Sequence, residues 1–168
     1  GGTWSRDGTI VFAPNPMTVL HRVSAAGGQP EPLTVLDAAR QENSHRWPHF
    51  LPDGRHFLFF ERTRQRENRA IYLGSLDSKV TRQLMPAESN AVFAPPGYLL
   101  FLRDGTLVAL PFDEKTLQWT GEPIRIAEKV RGADAQAAAS FDASQSGVLV
   151  YGSGSTVNQQ LAWFNREG

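Results

Sequence analysis

Apolar positions along this chain fall in short clusters separated by turn-forming residues. The longest, such as Phe57-Leu58-Phe59-Phe60 and Gly147-Val148-Leu149-Val150-Tyr151, run four to five residues. Short runs of aromatic and β-branched residues bounded by Gly and Pro predict strands and turns rather than helices. None approaches the roughly 20 residues that a bilayer span needs, so no direct membrane insertion of this segment is expected.

The clusters repeat. Four segments share a strand, a Gly-containing turn and a short apolar strand ending in an aromatic: Trp4-Ser5-Arg6-Asp7-Gly8-Thr9-Ile10-Val11-Phe12, then Phe50-Leu51-Pro52-Asp53-Gly54 leading to Phe59-Phe60, then Phe93-Ala94-Pro95-Pro96-Gly97-Tyr98-Leu99-Leu100-Phe101, then Phe141 through Gly147 to Tyr151. The turn glycines stand at 8, 54, 97 and 147, at spacings of 46, 43 and 50. Glycine tolerates the positive φ of a tight turn, Pro52 and Pro95 preset φ, and Asp7 and Asp53 can bond their own backbone, so each segment has hairpin chemistry. In three copies an aromatic sits four residues before the glycine (Trp4, Phe50, Phe93), suited to packing between adjacent sheets. Phe141 stands six before Gly147, which predicts a bulge or a longer hairpin in the fourth copy.

Each unit continues into a second strand pair, Val19 to Val23 followed by Ala26 to Thr34, Ile71 to Leu76 with Val80 to Leu84, and Thr106 to Leu110 with Pro123 to Ala127; the fourth has Gln160 to Phe164 alone. Periods of about 40 to 50 residues with four strands each are those of propeller blades. The expected fold is therefore all-β: a partial β-propeller of about four blades, each a four-stranded antiparallel sheet, with the last blade incomplete. The blades are expected at 1–36, 45–86, 90–128 and 137–168. Blades pack face to face, so an incomplete ring exposes two apolar faces, and self-association through them is expected.

Composition narrows the function. Lys plus Arg and Asp plus Glu are 17 each, giving zero formal charge and no global basic field to recruit nucleic acid. The absence of cysteine excludes disulfide scaffolds, zinc ribbons and thiol nucleophiles. Enzyme signatures are missing: there is no Gly-x-Ser-x-Gly elbow, Gly152-Ser153-Gly154-Ser155 having the wrong spacing, and no Gly-rich loop, His-Arg-Asp or Asp-Phe-Gly of a kinase. No catalytic residue, cofactor or metal is expected in this segment.

The Trp-Ser-x-Asp-Gly turn, the following Ile-Val-Phe, and the later Gly-Gly or Asp-x-Lys turn resemble TolB-like, WD-type bacterial β-propeller repeats. The stretches His45-Arg46-Trp47-Pro48-His49-Phe50-Leu51-Pro52-Asp53-Gly54-Arg55-His56-Phe57-Leu58-Phe59, Ile71-Tyr72-Leu73-Gly74-Ser75-Leu76-Asp77 and Ala94-Pro95-Pro96-Gly97-Tyr98-Leu99-Leu100-Phe101 further resemble the C-terminal propeller of bacterial receptor serine/threonine protein kinases. That resemblance implies a sensor on the periplasmic or extracellular side of a bacterial membrane, with catalysis in a separate kinase domain. Two other contexts remain open: a propeller gating a peptidase or other hydrolase, and a TolB-like periplasmic adaptor.

Candidate contact residues lie in and after the longest connection, 35 to 46, because inter-blade loops decorate propeller faces. His45, Arg46, Trp47 and His49 are the favoured contact set for a protein, peptide or small ligand. In extended chain 45, 47 and 49 share a face, which also raises a metal or anion reading for the two histidines; packing against Trp47 is the simpler one. The polar run Glu61-Arg62-Thr63-Arg64-Gln65-Arg66-Glu67-Asn68-Arg69 is expected to be a solvated hairpin loop, since its mixed charge and lack of interleaved aromatics do not suit nucleic acid.

Overall fold

A computed structural model describes residues 1–133 and 136–154. The expected strand Gln160 to Phe164 and part of the Gly152 to Ser155 loop lie outside these residues. The described chain is nearly all β. Sheet 1 has the order β1 (Gly2–Trp4), β2 (Thr9–Phe12), β3 (His21–Ser24), β4 (Glu31–Pro32). Sheet 2 is β5 (Glu42–Phe50), β6 (His56–Thr63), β7 (Ala70–Ser75), β8 (Ser78–Pro86), with a 3-10 turn at Arg66–Asn68 between β6 and β7. Sheet 3 is β9 (Ala91–Ala94), β10 (Tyr98–Arg103), β11 (Thr106–Asp113), β12 (Gln118–Trp119). A further strand, β13 (Ile124–Ala127), pairs with the start of β11, so the outer partner of β11 is split in two. Two ribbons follow, β14 (Gly132–Ala133) with β15 (Ala138–Ala139) and β16 (Phe141–Ala143) with β17 (Leu149–Tyr151).

Successive strands pair antiparallel within each sheet. The first strands of neighbouring sheets lie against one another, β1 on β5, β5 on β9 and β9 on β16. The sheets thus fan out from a common axis lined by their first strands, the arrangement of a propeller.

Hairpin chemistry sets the inner turns. In the first copy the Ser5 amide donates to the Thr9 carbonyl and the Gly8 amide to Ser5, with Gly8 at φ 86°. The fourth copy, expected to be longer or bulged, has the same turn: Ser144 N–H donates to Val148, Gly147 N–H to Ser144, and Val148 N–H to the Ser144 hydroxyl, as Thr9 N–H does to Ser5. The hairpin is conserved in geometry, and Ala143 stands where Trp4 stands. The third turn departs from expectation in the other direction. Gly97 is absent from the described positive-φ residues and Pro95–Pro96 is cis. Glycine is needed there for close approach, because a Cβ would lie 2.9 Å from the Phe112 carbonyl oxygen.

Packing explains why the apolar runs are continuous. Along β6, Phe57 and Phe59 join Val11, Leu20 and Tyr72 between sheets 1 and 2. Leu58 and Phe60 join Ile71, Phe93, Leu99 and Phe101 between sheets 2 and 3. Strand residues alternate faces, and both faces of sheet 2 are covered, so the run from Phe57 to Phe60 is apolar at consecutive positions. Sheet 3 repeats this: Leu99 and Phe101 face sheet 2, while Leu100 and Leu102 pack with Val130 and Phe141 on the other side.

The aromatics at the repeat position diverge with neighbourhood. Phe93 is buried between sheets, and Phe50 lies edge-on to Phe57 with ring centroids 6.1 Å apart. Trp4 is 65% exposed, and none of the described residues outside sheet 1 forms a sheet on that outer face. At the opposite end Val148, Val150 and Tyr151 are also exposed. These exposed apolar side chains carry an expected outcome: sedimentation velocity should show concentration-dependent association of the chain, and Trp4→Glu should weaken it. A strictly monomeric chain at all concentrations would contradict this.

Candidate functional site

Strand β5 is the inner strand of sheet 2 and carries all four expected contact residues. Its pairing with β6 slips twice, between Glu42 and Ser44 and between Arg46 and His49. At the second slip Trp47 has φ 53°, in the left-handed region that a bulky residue enters only at a cost of order 1–3 kcal/mol. The slip breaks the alternation that would put 45, 47 and 49 on one face. His45 stacks on Phe59 at 4.8 Å, on the sheet 1 side, whereas Trp47 packs against the cluster between sheets 2 and 3 and His49 lies beside Asp142 of β16. The two histidines therefore do not converge.

Each of the four has a defined place. Arg46 is buried; its guanidinium donates to Pro16 O at 2.5 Å and to Gln136 O at 3.4 Å, and its Nε donates to the Ser44 hydroxyl at 2.9 Å. It thereby ties sheet 2 to segments on both sides. Trp47 Nε1 donates to the same Gln136 carbonyl at 2.8 Å, and its half-buried ring lies over Gly1. His49 is half-buried, and burial holds it below the ordinary histidine range against the opposing pull of Asp142. His45, only 1% exposed, faces inward.

What His45 does meet is a buried polar cluster. Across the β5–β6 ladder His45 pairs directly with Glu61, and Glu42 pairs with Thr63. One oxygen each from Glu42 and Glu61 and a ring nitrogen of His45 lie within 4.8 Å of one another. His45 Nε2 is 3.1 Å from Glu42 Oε2, and its Nδ1 is 2.7 Å from Thr34 Oγ1, which also accepts the Leu20 amide at 3.0 Å. Glu42 further accepts the Asp37 amide at 2.6 Å and Arg40 Nε at 2.7 Å. Among the described residues neither carboxylate oxygen of Glu61 has a hydrogen-bond partner, and Arg40 Nη2 stands 3.6 Å from Oε2. The Arg40 guanidinium lies over the Tyr72 ring at 5.2 Å.

The two glutamates are driven apart electrostatically. Burial would raise Glu42, but hydrogen bonds from His45, the Asp37 amide and Arg40 outweigh it and hold its carboxyl well below the usual range. Burial and the adjoining Glu42 carboxyl push Glu61 up to about 8. Tyr72, beside them, is pushed up to about 12 by burial and then by Glu61.

Sequence reasoning missed both glutamates. The sequence places Glu42 in a connecting loop, but β5 already begins there. The polar run 61–69 reads as a solvated loop, but Glu61 is 1% exposed within β6; the exposed turn begins at Arg64. The available signal was period two: Phe57, Phe59 and Glu61 fall in one row, so an apolar row ends in a carboxyl group. Elsewhere, a cleft of about 260 Å³ between sheet 3 and the β16–β17 hairpin is lined by Tyr98, Leu100, Ile124, Ile126 and Leu149. Among the described residues no helix is long and apolar enough to cross a membrane.

No family model matches the chain, and no curated protein matches it. Among solved structures it is similar to TolB from Acinetobacter baumannii, with a TM-score of 0.56 and 16% identity over 90% of this chain. The chain spans 42% of that TolB chain, less than half its length. Stacked four-stranded antiparallel sheets with converging first strands, together with this likeness, make the chain a partial β-propeller of TolB-like fold.

Proposed function

We propose that this chain is a noncatalytic recognition module whose inner face contacts a protein, peptide or small ligand. The observation that carries the reading is Trp47. A bulky aromatic is held in a left-handed backbone on the innermost strand, half-exposed, and braced by buried Arg46 and the Gln136 carbonyl. Backbone strain that the surroundings hold in place is characteristic of binding sites, and aromatic and arginine side chains are the usual anchors of recognition surfaces. His49 lies two residues on, beside Asp142.

The context we propose is the extracytoplasmic part of a bacterial transmembrane serine/threonine kinase, on the resemblance of the 45–59, 71–77 and 94–101 stretches to that family. The likeness to TolB supports a periplasmic setting in the same way, as a resemblance of fold. The test is the reading frame on both sides of this segment. A kinase domain followed by one apolar span of about 20 residues upstream is the expected result. A hydrolase domain, or a signal peptide directly before the propeller, would overturn the kinase context in favour of a gating or adaptor role.

A further inference from the structure

We propose that Glu42, His45 and Glu61 form a binding site for one divalent transition-metal cation of the Zn²⁺ or Mn²⁺ kind, whose place the Arg40 guanidinium partly takes in the metal-free chain. The inference is independent of the recognition role and of the parent protein's architecture.

Three observations carry it. First, the donors are the right kind and already gathered: two carboxylates and an imidazole, within 4.8 Å of one another and all buried. Zinc bonds to nitrogen and oxygen are about 2.0–2.2 Å, so donors around one ion stand up to about 4.2 Å apart, and small side-chain rotations close the remainder. Second, Glu61 is an inward-facing carboxyl group with no hydrogen-bond partner on either oxygen among the described residues. A buried carboxylate is costly unless paired or metal-bound. Arg40 does not fill that role, because its short contacts go to Glu42 Oε1 and it only approaches Glu61 at 3.6 Å. Third, His45 is oriented as ligating histidines are. Its Nδ1 is held by Thr34 Oγ1 at 2.7 Å, which leaves Nε2 aimed at the carboxylates.

The surroundings favour a transition metal over calcium. Imidazole with two carboxylates suits Zn²⁺ and Mn²⁺, whereas Ca²⁺ prefers six to eight oxygens. Phe59 and Tyr72 wall the site on the protein side, and half-exposed Arg40 is the side open to solvent. Entry of a cation requires that guanidinium to swing outward, which leaves an open coordination position facing water.

The test is titration of chelator-treated chain with Zn²⁺ and with Mn²⁺, followed by calorimetry and by thermal melting. One equivalent of Zn²⁺ should bind and raise the melting temperature. Glu61→Gln, which keeps the side-chain shape, should weaken binding by about tenfold or more. Arg40→Met leaves the three donors intact and removes the competing cation, so it should bind several-fold more tightly. Absence of binding at about 100 μM metal would overturn the proposal and leave Glu61 holding a proton only. So would binding that Glu61→Gln leaves unchanged and His56→Asn removes, which would place the ion at the exposed Asp53–His56 pair. If Glu61→Gln fails to fold, Arg40→Met decides: an affinity equal to that of the parent chain overturns the site.

Discussion

Replacing Phe60 with alanine is expected to cost about 3–5 kcal/mol, measured as the shift in a urea unfolding curve. Phe60 is fully buried and lies opposite Ile71 on the face of sheet 2 that meets sheet 3. Its neighbours there, Leu99, Phe101 and Phe93, belong to the next sheet, whose own strands hold them in place. A cavity between two hydrogen-bonded sheets collapses poorly, which puts the cost at the upper end of large-to-small replacements. Val80→Ala is the control: Val80 is 81% exposed on β8, and its loss should change stability by less than about 0.5 kcal/mol. Equal effects for the two variants would mean that sheets 2 and 3 do not stack as described.

Stability of the metal-free chain should fall as pH rises from the ordinary glutamate range towards 8, and Glu61 is the cause. Its folded carboxyl is pushed up to about 8 while the unfolded one titrates normally, so within that window the folded state binds more protons than the unfolded state. Stability is then fully present below the unfolded value and is lost as pH passes through the folded one, with a slope of at most about 1.4 kcal/mol per pH unit. Glu42 acts oppositely: held low, its contribution is present above the ordinary range and is lost on acidification. The groups facing Glu61 are Glu42 and His45 from β5, Arg40 from the preceding connection and Tyr72 from β7. Denaturation midpoints in the presence of a chelator should therefore decline between about pH 5 and 8, and Glu61→Gln should flatten that decline. His49, held low by burial, contributes a slope of the opposite sign in this range, so the difference between the parent chain and Glu61→Gln is the measure: a slope that the variant leaves unchanged would show that Glu61 is ionised in the fold.

Much of the architecture was legible because propeller repeats are local. A hairpin needs only a turn and two short strands, so Asp7-Gly8 and Asp53-Gly54 with their apolar flanks announced the inner pairs without reference to the rest of the chain. Where legibility failed, a neighbour was responsible. Gly97 read as another positive-φ turn, but the approach of the Phe112 carbonyl is what requires it. Phe141 read as a sign of a longer hairpin, yet Ser144 and Gly147 close the same turn as Ser5 and Gly8, and the aromatic has moved along the strand to meet Leu102 and Leu107. Trp4 read as an inter-sheet aromatic, and it would be one beneath another blade.

The candidate sites divide along the same line. The stretch around His45 to His49 stood out because its composition is unusual, and it does form the inner edge of sheet 2. Whether those side chains shared a face depended on a slip in the β5–β6 ladder, which is a property of the pair and not of either strand. Glu42 and Glu61 lie 19 positions apart and each sits in a polar stretch, so nothing local marks them as partners. Pairing across the ladder brings them together, and stacking of sheet 1 on Phe57 and Phe59 takes them out of water. The all-β class, the blade period and most of the turns follow from short-range alternation and backbone preference, which are written locally along the chain. Which polar residues are buried depends on what the next sheet covers, and that is settled by packing between sheets.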